Sequence, residues 1–400
     1  MNPIRRLYCR AFQLAFRAAL PLLPYREPKL LSSLEQIVPV LKSKRIASVL
    51  LVLDGGVRDL GLCTPFKNAL QHAGIDFAVY EQRTQNPTIC DVEAARKAYL
   101  SCGARAIIAV GGGSAMDCAK VAGARIARPD KPVQKMRGLL HVMRRTLLLI
   151  CAPTTAGTGS ETTLAAVITD RETHHKYPIN DFSLIPDYAV LDARFTLGLP
   201  PTLTATTGMD ALTHAVEAYI GRSTNAYTRR MAEEAVCLIA HALIPAFENG
   251  QNIQVRRDML HASYCAGCAF TRSYVGYVHG IAHSLGGQYG IAHGLANAVI
   301  LPRVLRLYGG ACEEKLAHLA RIAGLCETDA GDAQAAEEFI RWIEHLVRLF
   351  NLPSGFAQIR KEDIPAMANH ADKESNPLYP VPRLMDAREL EAVYHTLMEA

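Results

Sequence analysis

From residue 46 to residue 190 the apolar positions come in short unbroken runs, IASVLLVLD, DFAVYE, ARAIIAVGG and TLLLICAP. Runs of this length, bounded by glycine or polar residues, predict strands buried on both faces. Between them, CDVEAARKAYLSCG and SAMDCAKVAGARIA repeat their apolar residues at helical spacing. Alternation of this kind predicts a doubly wound parallel sheet covered by helices, an α/β fold that takes ligands beyond the carboxyl ends of its strands. Around residue 197 the pattern changes. FTLGLPPTLTATT, with Pro200 and Pro201, marks a junction, after which the strand signal fades. ALTHAVEAYI, RRMAEEAVCLIAHALIPAF, EEKLAHLARIAGL, AAEEFIRWIEHLVRLF and ARELEAVYHTLMEA all have helical period. The expected layout is an N-terminal extension over 1–45, an α/β domain over 46–197 and an all-helical domain over 198–400.

The extension contains one more helical pattern. Arg6, Arg10, Gln13 and Arg17 share a face, Leu7, Phe12, Leu14, Phe16 and Leu20 are among the residues covering the rest, and Pro21 and Pro24 close it. It is too short and too charged to span a membrane, and it lacks the apolar stretch and cleavage site of a signal peptide. An interfacial anchor or targeting helix is one reading. The expectation adopted is a helix packed on its own or a partner subunit, with no targeting role.

Composition adds exclusions. The net charge of +5 is spread along the chain without a basic block interleaved with aromatics, so no nucleic-acid partner is expected. Eleven cysteines without a secretory signal read as reduced thiols of a cytoplasmic protein. Cys265 and Cys268 form a lone C-x-x-C, read as helix packing.

The chemistry concentrates in two stretches. Asp210 and His214 in TTGMDALTHAVEAY lie four residues apart, as do His279 and His283 in YVGYVHGIAHSLGGQYGIAHGLAN, and this spacing puts each pair on one helix face. His293 follows Gly286, Gly287 and Gly290, which can turn the chain back. Any one histidine would ordinarily be a packed or surface residue. Five candidates in two tight clusters point instead to a divalent transition ion, Fe²⁺ or Zn²⁺, held by one carboxylate and imidazoles. Spacing alone does not say which histidine is not a ligand.

Two predicted strand ends are glycine-rich. GGGSAMDCAK brings Gly111, Gly112 and Gly113 to the start of a helix, where bare backbone lets a pyrophosphate approach the amide groups. Ser114 and Asp117 there have the spacing of a good helix start. PTTAGTGSETT adds the hydroxyls of Thr154, Thr155, Thr158 and Ser160 on the neighbouring strand end. Together the loops predict a phosphate-bearing cofactor. Asp54, ending the first strand, can accept from ribose hydroxyls and disfavour a 2′-phosphate, or can simply serve the turn before Gly55.

These loops, LPPTLTATTGMDALTHAVEAY and the stretch from Val278 to Pro302 resemble the iron-containing (group III) alcohol dehydrogenases from about residue 46 onward. The resemblance implies a dehydroquinate synthase-like architecture with the active site in the cleft between the halves. It assigns the metal to Asp210, His214, His279 and His293 and leaves His283 as a catalytic residue passing the proton. It also assigns the dinucleotide to the two loops and Asp54, with Asn86 and Lys176 near it, and NAD rather than NADP as the preferred form. Ala115 and Ala292 stand where relatives have proline. Phe270 and Arg272 fall in the substrate region, Arg272 where diol-using relatives carry smaller or neutral residues. The implied activity is hydride transfer between a small primary alcohol, diol or aldehyde and NAD(P), by a protein with no membrane span and with a homodimer left open. The competing readings are a metal- and NAD-dependent lyase of the dehydroquinate synthase type, for which the pocket-side stretches offer mainly Arg272 and Lys176 as basic groups, and a non-catalytic scaffold.

Overall fold

The computed structural model describes residues 1–84, 86–171 and 175–398. The chain forms two compact units. The first comprises Pro24–Leu199 with Gly250–Gly267. Its strands are β1 (Lys29–Leu31), β2 (Ser48–Asp54), β3 (Asp76–Gln82), β4 (Ala106–Gly111), β5 (Gly138–Leu139), β6 (Leu148–Pro153), β7 (Ala165–Asp170), β8 (His175–Asn180) and β9 (Tyr188–Val190). Six of them make one parallel sheet in the order β1-β9-β6-β4-β2-β3. β3 lies on one side of β2 and β4, β6, β9 and β1 lie on the other, so the order reverses between β2 and β4. Ligands of doubly wound sheets bind at that kind of reversal.

Val49, Leu50, Leu51, Val52 and Leu53 are all fully buried, which explains why their sequence shows no alternation. Leu50, Val52, Ile107, Ala109, Leu149 and Cys151 face one core layer with Val92, Met116 and Ala119 of the covering helices. Val49, Leu51, Leu53, Ile108, Val110 and Ile150 face the other with Ile37, Leu41, Phe66 and Leu70. A second, three-stranded sheet, β5-β8-β7, contains an antiparallel β7–β8 hairpin absent from the sequence expectation.

The second unit comprises Met1–Leu23, Pro200–Asn249 and Cys268–Ala400. The units therefore divide near the expected junction but differ from the expected layout at two places. Residues 24–45 belong with the sheet, and residues 250–267 return to it before the helix Ile253–Ser273 carries the chain back. Among the described residues no strand follows Val190. Pro201–Ile220 is the central helix of this unit, buried without interruption from Gly208 to Ile220. Helices Ala226–Glu248, His293–Tyr308, Tyr277–Tyr289 and Ile364–Ser375 build the rest of its core with the three named below. Glu313–Ile322, Asp332–Leu349 and Ala387–Met398 fall where the sequence periodicity put helices. Residues 399 and 400 of the last predicted segment lie outside the described residues. Among the described residues, no helix is long and apolar enough to cross a membrane.

Candidate metal centre and cofactor loops

Three helices of the second unit deliver the ligand candidates. Asp210 and His214 stand one turn apart on Pro201–Ile220, His279 on Tyr277–Tyr289, and His293 opens His293–Tyr308. Gly290, at φ +68°, ends the second helix in the left-handed region and reverses the chain toward His293. Gly294 then permits the close approach: a Cβ there would stand 2.4 Å from the Thr206 carbonyl oxygen and 3.4 Å from the Asp210 Cβ. The result is one carboxylate oxygen and three imidazole nitrogens, from Asp210, His214, His279 and His293, all within 4.8 Å of one another. Asp210 Oδ1 and His293 Nε2 are 3.6 Å apart. This donor set fits a divalent transition ion.

The residues around the ligands suit the same ion. Glu217, one turn past His214 on the central helix, accepts from the Val278 amide at 2.9 Å and lies 2.6 Å from His279 Nδ1. With the Nδ1 proton donated to Glu217, the Nε2 lone pair of His279 is left for the metal side. Burial, and then the neighbouring imidazoles of His214, His293 and His283, holds His279 neutral by pushing its pKa well below the usual range. Burial also pushes the Glu217 carboxyl up to about 7, against the pull of the amides of Gly276, Val278 and His279. Asn297 donates from Nδ2 to Asp210 Oδ1 at 2.7 Å, with His279 Nε2 and His293 Nε2 at 3.3 and 3.2 Å. Sequence reasoning missed Glu217 and Asn297, although both sit at helical spacing from predicted ligands, three residues after His214 and four after His293.

His283 stands beside this group rather than in it. Its Nδ1 lies 2.6 Å from Glu374 Oε1, which also accepts from the Tyr379 hydroxyl at 2.8 Å. Its ring, 41 % exposed, stacks 5.2 Å from that of His293. Nothing in the sequence around Glu374 signalled this pairing. Phe270 stacks on His214 at 4.1 Å and so forms an apolar wall beside the ligands. Arg272 is elsewhere. The chain breaks between Ser273 and Tyr277, with Tyr274 at φ +64°, so Arg272 does not continue the His279 face. Its guanidinium lies 4.0 Å over the Tyr227 ring, a cation–π contact in place of the expected substrate-facing position.

In the sheet unit, the ends of β2, β4 and β6 bring the predicted cofactor residues together. Asp54 takes the Val57 amide on Oδ1 at 2.8 Å and the Gly112 amide on Oδ2 at 3.1 Å, with the Thr154 hydroxyl at 3.4 Å. It therefore ties together the two strand ends flanking the reversal. The helix Gly113–Ala127 starts without a side-chain cap. A side chain at Gly112 would touch Thr155 and one at Gly113 would crowd Thr158, with 3.1 Å between its Cβ and Thr158 Cγ2, so the two loops adjoin. Asp117 points back into the fold, accepting from Ser160 Oγ at 2.7 Å and the Val167 amide at 2.9 Å, and burial raises its pKa. It positions the second loop, a different role from the ligand contact expected of it. Ser114 occupies the first turn of the helix, and Lys176 Nζ donates to Asn86 Oδ1 at 2.8 Å. Gly111 is packed against Asp54 and Ala115, and the part-exposed backbone at Gly112 and Gly113, beside the Thr155 and Thr158 hydroxyls, fits a dinucleotide pyrophosphate.

Comparison with known proteins follows the same division. A family model described as iron-containing alcohol dehydrogenase matches residues 27–193, and one for the C-terminal part of Fe-containing alcohol dehydrogenases matches residues 204–398. The chain is 36% identical to a 1,3-propanediol dehydrogenase of Klebsiella pneumoniae over 349 residues, covering 86% of this chain and 90% of that one. It is 34% identical to alcohol dehydrogenase 4 of Saccharomyces cerevisiae over 343 residues, covering 85% and 88%. A crystal structure of a 1,3-propanediol oxidoreductase superposes with a TM-score of 0.88 at 34% identity, covering 93% of this chain and 99% of that one. Matches this long, to relatives that are dehydrogenases, set the lyase and scaffold readings aside. With its ligand group, glycine loops and both family matches in register along the chain, this protein belongs to the iron-containing alcohol dehydrogenases.

Proposed function

We propose that this alcohol and aldehyde oxidoreductase works with Fe²⁺ held by Asp210, His214, His279 and His293, prefers NAD(H), and acts on small primary alcohols, diols and their aldehydes. The single observation that carries the reading is the four-donor group with Glu217 behind it. When bound, the ion supplies a Lewis acid for the alcohol oxygen and the nicotinamide exchanges the hydride.

The chain's own residues do the rest. Asp210 lowers the net charge of the centre, and the three imidazoles stay neutral donors. Glu217 fixes the His279 tautomer, and Asn297 holds Asp210 in place. Phe270, flat against His214, offers the carbon chain of the substrate a short apolar wall, which suits a small alcohol. His283, with Nδ1 tied to Glu374 and its partly exposed ring stacked beside His293, is the proton carrier. In the sheet unit, the amide at Gly113 and the hydroxyls of Thr155 and Thr158 hold the pyrophosphate, and the carboxylate of Asp54, which fixes the Gly112 amide, meets the ribose. Support for NAD comes also from relatives: an NAD-dependent methanol dehydrogenase of Bacillus methanolicus is 34% identical, and a sulfoacetaldehyde reductase solved with NAD⁺ superposes with a TM-score of 0.84 at 25% identity. All eleven cysteines are free thiols, in keeping with a cytoplasmic protein.

The test is NADH oxidation with propanal by protein stripped with a chelator and then given Fe²⁺ under anaerobic conditions. Turnover restored by Fe²⁺ and faster with NADH than NADPH is expected. Turnover indifferent to stripping, or present only with NADPH, would overturn the metal or the cofactor assignment respectively.

A further inference from the structure

The helix Pro3–Ala19 is mounted with its polar face inward. Arg5 makes a two-point pair with Asp372, both nitrogens at 2.7 Å. Arg10 donates to the carbonyls of Val381 and Pro382 at 2.8 and 2.7 Å, and Gln13 to that of Tyr379 at 2.7 Å. Cys9 and Gln13 are the buried residues of this helix. Ile4, Leu7, Tyr8 and Leu14, at i, i+3, i+4 and i+10, are instead 83, 72, 59 and 67% exposed, and Leu22 in the following turn is 86% exposed. An ordinary surface helix turns its apolar stripe to the core. This one cannot simply roll over, because Asp372, only 5% exposed, would lose its counter-charge. The fold holds an apolar face out to solvent.

The surrounding charge indicates what covers it. Residues 1–26 contain no acidic residue, and of their five arginines Arg6 and Arg17 are exposed while Arg5, Arg10 and Arg26 are held by Asp372, by carbonyls and by Asp187. Arg6 and Arg17 share the polar side of the helix with Arg10 and Gln13 but lie at its margin, and Arg222 and Arg229 are exposed as well. Burial first, and then Arg229, Arg222 and Arg17, lowers the Lys315 ammonium nearby to about 8. A second copy of the chain fits poorly. Two-fold pairing would bring two basic flanks together, and one short helix face supplies less than the roughly 1,000 Å² that a stable interface needs. A negatively charged bilayer meets both the apolar stripe and the arginines.

We infer that Pro3–Ala19 docks the protein reversibly on anionic lipid, lying in the headgroup plane with Ile4, Leu7, Tyr8, Leu14 and Leu22 toward the acyl chains.

The test is flotation of the full-length protein with vesicles of phosphatidylglycerol and phosphatidylcholine, beside vesicles of phosphatidylcholine alone. The wild type is expected to float with the first and not the second. Arg6→Gln with Arg17→Gln should weaken binding roughly 30-fold, at about 1 kcal/mol for each basic residue near the surface. Leu7→Gln with Leu14→Gln should abolish flotation while melting and aldehyde reduction stay unchanged, since these side chains face solvent. Failure of the wild type to float with anionic vesicles would overturn the inference. So would equal flotation of the leucine variant. Loss of a dimer in that variant, with no flotation of the wild type, would assign the face to self-pairing instead.

Discussion

Glu217→Gln removes one acceptor oxygen from a carboxylate that serves two donors. In the wild type, one oxygen takes the Val278 amide at 2.9 Å and the other lies 2.6 Å from His279 Nδ1. Glutamine keeps the shape but offers one acceptor and one NH₂. If its oxygen stays with Val278, its NH₂ faces His279 and draws the ring to the tautomer protonated on Nε2, the nitrogen needed by the metal. If the amide turns over, Val278 loses its partner at the start of a ligand-bearing helix. Either way the metal centre is weakened. Losing such an outer partner costs ~10–100-fold in metal affinity, or about 1.4–2.7 kcal/mol. The buried group left unpaired adds roughly 1–3 kcal/mol of instability to the metal-free protein. Competition against a chelator of known affinity measures the first, and thermal melting of metal-free protein the second. A Glu217→Gln protein that binds metal as tightly as the wild type would refute the tautomer argument, whatever its melting temperature.

Three further outcomes are expected. Gly294→Ala puts a Cβ 2.4 Å from the Thr206 carbonyl oxygen, a backbone atom; it should cost roughly 1–3 kcal/mol in melting experiments and lower metal content, and wild-type values for both would contradict the close-approach role. Burial raises the Glu161 carboxyl from 4.5 to about 7, so the folded protein holds this proton longer than the unfolded one. The penalty is absent below about pH 4.5 and complete above about pH 7. Glu161→Gln should therefore gain stability over the wild type as pH rises through that window, by up to about 3 kcal/mol; parallel stability curves would refute it. Asp54→Gly should raise NADPH use relative to NADH and weaken NADH binding, because Asp54 also holds the Gly112 amide; an unchanged cofactor ratio would end the ribose assignment.

How much of this was legible in sequence depended on how local the signal was. Val49 to Leu53 announce a strand because all five are buried. β1 and β9, three residues each, are too short for any periodicity, and the β7–β8 hairpin carries a polar, interrupted pattern. Asp210 and His214 read as a pair because helical spacing alone aligns them. That their helix meets His293 depends on the Gly294 contact with Thr206, a packing fact. Glu217 was visible as a carboxylate one turn beyond His214, but its partner, His279, lies 62 residues away. Arg272 was placed in the substrate region by the family resemblance, which could not show that Tyr274 turns left-handed just after it and that its guanidinium lies over Tyr227. The N-terminal helix was legible in pattern, not in direction, since inward-turned arginines need carboxylates and carbonyls that come from residues beyond 370.

The most direct test of the central claim is metal content per subunit in His293→Ala and His283→Ala proteins, purified anaerobically and compared with the wild type. The four-donor centre predicts a metal-poor, inactive His293→Ala and a metal-replete His283→Ala whose turnover is reduced and whose pH dependence is altered. A metal-replete His293→Ala beside a metal-poor His283→Ala would contradict it.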